Sequence, residues 1–359
     1  MGKILMKGNE AIGEAAIRAG CLNYFAYPIT PQSEVAEYLS RRMPEVGGVF
    51  LQGESEVAVS YMLFGAAACG ARVFTTSSSP GISLMSEGIS YIAAGQCPAV
   101  FVNIVRGGPG LGGILPSQAD YFQATKGGGH GDYRMLVMAP SSVQEAVEMV
   151  MKAFPLAEKY NNPVMVLGDG LIGQMMEPVE FPEHLVSIPS NKDDWATSGM
   201  DTRKSDKRNV IRTLYLNASQ LNKLNFELKA KYDRMGREEV CFEPYNINSE
   251  YKVLIVSYGT MSRVCKTAID ELKSKGFEVG MIRPQVLFPF PEKAVYEAAL
   301  KESCQVVVSI EMSMGQMVED VMRSVMGKRP VKWYGKCGGE IPDPDEIMDS
   351  VKKLAKQAL

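Results

Sequence analysis

The sequence predicts an α/β protein, in which a doubly wound domain built on a parallel sheet is followed by a smaller α/β domain. Its 359 residues are enough for two domains. Short apolar runs alternate with stretches of helical length up to Leu167, and the same alternation returns after Lys252. Between these two regions the alternation of apolar runs and helical stretches is less regular. We therefore assign residues 1–248 to the first domain, with a connector at about 180–248, and residues 249–359 to the second.

Local signals justify the elements of the first domain in order. A helix is expected from Asn9, which can cap it, to Gly20, which can end it. Thr30 before Pro31 is typical of an N-cap followed by proline, and predicts a helix through about Met43. Further strands are expected at 22–27, 49–52, 72–76, 98–105 and 163–167, and further helices at 56–70, 80–94 and 141–160.

The connector is rich in Pro, Asn, Asp and Lys, and one helix with mixed charge is expected within it, at 218–234. The second domain again alternates strands with helices. Its strands are expected at 253–257, 278–282 and 306–310, and its helices near 261–275, 291–302 and 314–326. About 100 residues of this pattern are enough for a compact domain.

Composition argues against several classes of function. The net charge of −3 gives no electrostatic reason to expect nucleic acid, and Asp206 interrupts the basic run from Arg203 to Arg212. No apolar run reaches the length of a membrane span, and the N-terminus lacks the apolar core of a signal peptide. We therefore expect a cytoplasmic protein.

The cysteines and histidines of the sequence offer few candidates for a metal site or for a Ser-His-Asp catalytic triad. None of the seven cysteines forms a Cys-x-x-Cys pair, which argues against a zinc ribbon or an iron–sulfur cluster held by this chain alone. The histidines are His130 and His184. His130 lies between glycines and is expected to be a structural residue of a turn. We expect no metal site.

A Gly-Asp-Gly segment at 168–170 resembles the diphosphate and magnesium signature of thiamine diphosphate enzymes. In that signature an Asn follows about 25 residues later, after an apolar strand. Here Asn191 comes early and the intervening segment is rich in proline. A turn after a strand is the better interpretation of Asp169.

Three charged residues lie where a ligand is expected. Glu54 and Glu56 precede an apolar helix; Glu54 suits a solvated helix end, whereas Glu56 lies in a buried pattern. Arg106 stands where a strand ends and a loop with several glycines begins. In parallel sheets ligands bind at the carboxyl ends of strands, and an arginine there suits a carboxylate or a phosphate.

These residues belong to segments that carry a family resemblance: Tyr27–Pro31, Glu56, Phe74–Gly81 and Arg106. Together they resemble the alpha subunit of 2-oxoacid:ferredoxin oxidoreductases. The segments Lys126–Asp132 and Gly173–Val179 are most similar to the 2-oxoisovalerate (3-methyl-2-oxobutanoate) type, with the 2-oxoglutarate type as the open alternative.

The resemblance implies a thiamine diphosphate pyrimidine-binding domain followed by a domain similar to the C-terminal domain of transketolase. It implies that the cofactor is shared with a beta subunit, which carries the diphosphate site and Mg²⁺. A gamma subunit and a ferredoxin-like subunit complete the complex, and iron–sulfur clusters lie on other subunits. The implied reaction is oxidative decarboxylation of a 2-oxoacid, with coenzyme A as acyl acceptor and ferredoxin as electron acceptor.

The resemblance also implies residue roles. Glu56 is the catalytic carboxylate that hydrogen-bonds N1′ of the aminopyrimidine. Arg106 and Thr30 bind the substrate carboxylate, and Pro28 and Ser79 contact the cofactor. Two alternatives stay open: a non-catalytic assembly subunit, and a free-standing nucleotide- or acyl-binding protein.

Overall fold

The computed structural model describes residues 2–182, 192–199 and 208–357. The strands are β1 (Ile4–Lys7), β2 (Asn23–Ala26), β3 (Val49–Gln52), β4 (Phe74–Ser77), β5 (Ala99–Val105), β6 (Leu136–Met138), β7 (Pro163–Asp169), β8 (Met176–Val179), β9 (Phe242–Tyr245), β10 (Val253–Val256), β11 (Val279–Pro284), β12 (Val286–Phe288), β13 (Val306–Glu311) and β14 (Val331–Gly335). The helices are α1 (Gly8–Arg18), α2 (Ser33–Glu45), α3 (Glu56–Ala68), α4 (Ser79–Ala94), α5 (Tyr121–Lys126), α6 (Val143–Tyr160), α7 (Gly170–Gln174), α8 (Ala218–Glu238), α9 (Gly259–Ser274), α10 (Glu292–Ala299), α11 (Met317–Val325) and α12 (Pro344–Gln357), with a 3₁₀ turn at Lys192–Asp194.

A seven-stranded sheet forms the centre of the first domain, in the order β12-β6-β7-β5-β4-β2-β3. Its strands are parallel except β12, which pairs antiparallel with β6. Since β4 lies between β2 and β5, the carboxyl ends of these three strands meet at one edge of the sheet. Thr30, Ser79 and Arg106 all lie just beyond the ends of these strands, at this edge.

The two faces of β5 divide the core. Val100, Val102 and Ile104 belong to a cluster with residues of α1 and α6, whereas Phe101 and Val105 belong to a cluster with residues of α3 and α4. Burial on both faces explains why the strand is almost continuously apolar. The cluster beneath α3 and α4 continues into the second domain, so the two domains share a core.

The second domain has a five-stranded sheet, in the order β14-β13-β10-β11-β9. β9 is antiparallel to β11 and lies within the segment that we assign to the connector. β12, in contrast, lies in the second half of the chain and pairs in the first sheet. Gln118 also joins the domains, because its side chain donates to Tyr258 O (2.8 Å) and accepts from Met312 N (2.9 Å). The boundary after residue 248 therefore stays a prediction.

The two-domain α/β architecture is confirmed, and each helix and strand listed from the sequence is present within a few residues. Short or edge elements such as β1, β6, β8 and β14 had not been predicted. Among the described residues, no helix has the length and apolar character needed to cross a membrane. His184, Asn191 and residues 203–207 of the basic run lie outside the described residues.

Both N-cap predictions are wrong. Asn9 lies inside α1, and its amide donates to Pro31 O (2.8 Å) and Glu34 Oε2 (2.8 Å) instead of capping the helix. Thr30 is exposed and lies before α2, which begins only at Ser33. The amide of Asn9 therefore ties the start of α2 to α1.

Candidate active site

The structure brings Thr30, Glu56, Ser79 and Arg106 to the carboxyl edge of β2, β4 and β5. Arg106 Nη1 donates to Thr30 O (2.8 Å), and Arg106 N donates to Ser79 Oγ (3.1 Å). Ser79 begins α4, and the carboxylate of Glu56 lies beside Gly81 in the first turn of that helix. Pro28 is exposed on the same loop as Thr30.

Glu56 is the first residue of α3 and is only 6% exposed. Ser55 fixes the start of this helix, because its hydroxyl accepts from Ala58 N (3.2 Å). None of the described residues makes a hydrogen bond to the Glu56 carboxylate. A buried carboxylate without a protein partner is costly, so its presence favours a ligand that hydrogen-bonds to it. Glu54, by contrast, is exposed.

Two side chains converge on Gly81. A Cβ added to Gly81 would lie 2.1 Å from Ser77 Oγ and 3.0 Å from Glu56 Oε1. A side chain at this position would therefore displace both groups. Ser77 Oγ is buried and has no hydrogen-bond partner among the described residues. Glu56 and Ser77 thus present two unpaired oxygens to one place at the start of α4.

Arg106 carries a buried positive charge that no described carboxylate neutralises. Its side chain is only 7% exposed, and its guanidinium is held by carbonyl groups, those of Thr30 (2.8 Å) and Leu111 (3.2 Å). The Nε atom is buried and has no partner among the described residues. A buried guanidinium with a spare donor suits an anionic ligand, because the charge then gains a counterion.

More unpaired polar atoms lie around the same strand ends. Thr75 Oγ1 and Asn103 Oδ1 are buried on the face of the sheet that α3 and α4 cover. On the other face, Gln32 accepts from Thr76, and its own Nε2 has no described partner. Buried polar groups are nearly always paired in native proteins, so this cluster indicates a place where other polar groups bind.

Sequence reasoning gave no role to Gln32, Ser77, Gly81 or Asn103. Ser77 and Gly81 lie in the segment that carries the resemblance, but nothing in the sequence shows that they flank Glu56. Asn103 had a clear signal, because it is the one polar residue of the strand Ala99–Val105. A polar residue in a strand buried on both faces requires a partner.

Two other sequence features have structural explanations. Asp169 ends β7 and caps α7, since its Oδ1 accepts from Leu171 N (2.9 Å) and Ile172 N (3.2 Å). Burial raises the pKa of Asp169. His130 is exposed; its carbonyl accepts from Ser90 Oγ (2.7 Å), and its ring packs edge-on against Tyr91. Both observations agree with the structural interpretations made from the sequence.

Comparison with known proteins decides the family. The model of the thiamine diphosphate-binding domain of pyruvate flavodoxin/ferredoxin oxidoreductases matches residues 14–237. The model of core domain II of pyruvate:ferredoxin oxidoreductase matches residues 252–347. This chain belongs to the pyruvate flavodoxin/ferredoxin oxidoreductase family.

Individual relatives agree with this family. Ketoisovalerate oxidoreductase subunit VorB of Methanothermobacter thermautotrophicus is 44% identical over 98% of this chain and 97% of its own length. A structure of 2-oxoglutarate:ferredoxin oxidoreductase from Magnetococcus marinus, with 2-oxoglutarate, coenzyme A and succinyl-CoA bound, is 26% identical with a TM-score of 0.84. It covers 99% of this chain, which spans 65% of that longer chain. A split-gene transketolase, 15% identical over 99% of each chain with a TM-score of 0.60, shares the fold.

The chain is therefore a subunit of a thiamine diphosphate-dependent 2-oxoacid:ferredoxin oxidoreductase. The candidate site fits the pyrimidine end of that cofactor. Glu56 offers a largely buried acceptor for a ring nitrogen, and Gly81 lets the side chains of Glu56 and Ser77 pack against the start of α4, where any Cβ would clash with both. Ser77 Oγ and Asn103 Oδ1 are further buried atoms available to a polar ring.

Proposed function

We propose that this chain supplies the pyrimidine half of the thiamine diphosphate site and the carboxylate-binding group for the 2-oxoacid. The observation that carries the proposal is the pair of buried, unneutralised charges at one sheet edge, Glu56 and Arg106. An enzyme that binds a basic ring and an anionic substrate needs one acceptor and one cation side by side. When bound, the cofactor supplies the stabilisation of the carbanion that decarboxylation requires.

Glu56 would hold a proton at N1′ of the aminopyrimidine. Glu56 starts α3 and is largely buried, so few water molecules would compete with the ring for a hydrogen bond to its carboxylate. Ser77 and Gly81 would line the place where the ring meets Glu56. Ser79 would contact the cofactor from the first turn of α4, and Pro28 from the loop after β2.

Arg106 would bind the substrate carboxylate. Its Nε is unpaired, and its Nη2 contact with Leu111 O is long enough (3.2 Å) to be replaced by a stronger acceptor. Thr30 already accepts from Arg106 through its carbonyl, so its exposed hydroxyl would lie beside the same carboxylate. A charge-assisted contact of this kind contributes about 1.5–3 kcal/mol.

We propose 3-methyl-2-oxobutanoate as the substrate. Leu111, Ile114 and Leu115 are exposed on the loop that follows Arg106, and residues 107–116 include no basic side chain. Such a loop offers apolar contact to a branched alkyl group and no partner for the second carboxylate of 2-oxoglutarate. The name of the relative VorB agrees with this choice, whereas the Magnetococcus marinus enzyme keeps 2-oxoglutarate as the second candidate.

In the reaction that we propose, the bond between the carboxylate and the 2-oxo carbon breaks and CO₂ leaves. The acyl carbon then bonds to the sulfur of coenzyme A, whose thiol proton is released. Two electrons pass, one at a time, to two oxidised ferredoxins. The product is therefore an acyl-CoA, 2-methylpropanoyl-CoA for the branched substrate.

The remaining parts of the enzyme lie on other chains. A beta subunit would carry the diphosphate site and its Mg²⁺, since the only Gly-Asp-Gly of this chain uses Asp169 as a helix cap. A gamma subunit and a ferredoxin-like subunit would complete the complex, with the iron–sulfur clusters on other subunits. All seven cysteines of this chain are free thiols, which suits the reducing cytoplasm where we place the enzyme.

The test is an assay of the complex purified with its native partners. Pyruvate, 3-methyl-2-oxobutanoate and 2-oxoglutarate are compared with coenzyme A and a viologen dye. We expect the highest kcat/KM for 3-methyl-2-oxobutanoate, and a fall of about 10–10² for every 2-oxoacid in Arg106→Gln. A preference for 2-oxoglutarate would overturn the substrate assignment, and unchanged kinetics in Arg106→Gln would overturn the role of Arg106.

A further inference from the structure

The loop that follows Arg106 returns to the strand from which it starts. Arg106 forms an isolated bridge with Pro116, and Gly107 N donates to Leu115 O (3.1 Å). The chain then reaches Asp120, which directly precedes α5. Asp120 therefore lies beside the end of β5, although it is far from Arg106 along the chain.

Asp120 is connected to the end of β5 at two points. Asn103 Nδ2 donates to Asp120 Oδ2 (2.9 Å), and Asn103 is fully buried three residues before Arg106. The second is Ser79, whose hydroxyl accepts from Arg106 N (3.1 Å), donates to Arg106 O (3.3 Å), and lies close enough to Asp120 to lower the pKa of its carboxyl. The Asp120 carboxylate thus holds the strand that leads to Arg106 and lies beside the helix start that contacts the Arg106 backbone.

Burial of the Asp120 carboxyl disfavours its charged form, which makes it a costly group for a purely structural hydrogen bond. Burial raises the pKa of Asp120, and hydrogen bonding by Ser79 and Asn103 offsets the rise only in part. In the described part of the chain, no Lys or Arg forms an ion pair with it. A buried carboxyl whose hydrogen-bond partner lies in the strand that leads to Arg106 is therefore a candidate for a role at the neighbouring site.

We propose that Asp120 is a positioning residue for Arg106, which it orients toward the substrate carboxylate by holding Asn103 beside Ser79. The proposal rests on the proposed role of Arg106 in substrate binding. Asp120 does not touch the substrate. Its contribution is to keep the guanidinium in the one place where its unpaired Nε can reach an anion. Displacement of a binding group by about 1 Å can cost about 10²-fold.

The test compares Asp120→Ala with Asp120→Asn in the purified complex, with the exposed Asp132→Asn as the matched control. Asp120→Ala should raise the KM for 3-methyl-2-oxobutanoate at least about tenfold with kcat within about threefold, because only substrate placement is lost. Asp120→Asn should retain most of the affinity, since its amide can accept from Asn103. Asp132→Asn should behave as the parent. An unchanged KM in Asp120→Ala would overturn the proposal.

Arg106→Gln in the same assay separates this inference from the proposed function. If Arg106→Gln raises the KM and Asp120→Ala does not, only the inference fails; if neither does, the role of Arg106 fails. In the Arg106→Gln background, Asp120→Ala should have no further effect on the KM, because the two residues act on one contact. A second, additive effect there would show that Asp120 acts elsewhere. If Asp120→Ala does not assemble, Asp120→Ser is assayed with the same expected result.

Discussion

Substitution of Gly81 by alanine tests the geometry of the site through a single methyl group. The new Cβ would lie 2.1 Å from Ser77 Oγ, 3.0 Å from Glu56 Oε1 and 3.1 Å from Glu56 Cγ. Contacts this short are not tolerated, so both side chains must move. Ser77 Oγ has to shift by about 1 Å, and Glu56 by less. Because a catalytic group misplaced by about 1 Å loses about 10²-fold and Glu56 moves by less than that, we expect kcat/KM to fall by roughly tenfold.

The fold should survive this change. Gly81 lies within the first turn of α4, where alanine is favoured over glycine by up to about 1 kcal/mol, which offsets part of the steric cost. The assay is the affinity of the assembled complex for thiamine diphosphate together with kcat/KM and the melting temperature. We expect weaker cofactor binding and lower activity with a melting temperature close to that of the parent.

Gly65→Ala is the matched control, because Gly65 lies in the same helix as Glu56 and an added Cβ there meets nothing within 4 Å. It should raise stability by about 0.5–1 kcal/mol and leave activity unchanged. Ser77→Ala combined with Gly81→Ala should recover part of the lost activity, since the nearest clashing atom is gone. If Gly81→Ala behaves like Gly65→Ala, the placement of Glu56 beside Gly81 is refuted.

Two further predictions concern the domain contact and the loop. Arg283, 1% exposed, pairs with the partly exposed carboxylates of Glu145 and Glu243, so Arg283→Met should cost about 1.5–3 kcal/mol in the free energy of unfolding. Burial alone would raise the pKa of Glu145, but Arg283 and the hydrogen bonds of Ser141 together lower it to about 2. The stabilisation from the ionised Glu145 is therefore present above its unfolded pKa near 4.5 and is lost as the pH falls toward 2. Denaturant melts between these pH values should show that the free energy of unfolding depends less on pH in the variant than in the parent. Gly112 has a φ of +61° and an added Cβ would lie 1.8 Å from Gly107 O, so Gly112→Ala should raise the KM for the 2-oxoacid with little change in melting temperature.

Much of the fold follows from sequence because the main elements are long and strongly patterned. The strand Ala99–Val105 is apolar except for Asn103, and a strand of this kind belongs inside a parallel sheet. The short strands were missed for the opposite reason. β6 and β12 have three residues each, too few to show a period, and β12 comes from the second half of the chain to pair with β6 at the edge of the first sheet.

The residues of the candidate site were also only partly predictable from the sequence. Glu56 and Arg106 could be predicted because each is a charge in an apolar context, a contrast that is visible in the sequence. The N-cap prediction for Thr30 was wrong because α2 begins only at Ser33; the carbonyl of Thr30 instead accepts from Arg106, far along the chain. The roles of Ser77, Gly81 and Asp120 depend on which strands are neighbours and how their ends align. No local pattern encodes that arrangement.

The most direct test of the account is Glu56→Gln in the complex assembled with its partner chains. The substitution keeps the size of the side chain and removes its charge, so the complex should assemble with a melting temperature near that of the parent. We expect thiamine diphosphate-dependent decarboxylation of 3-methyl-2-oxobutanoate to fall at least about 10²-fold, as for the loss of other acid–base groups. A rate close to that of the parent would contradict the central claim that Glu56 is the catalytic carboxylate.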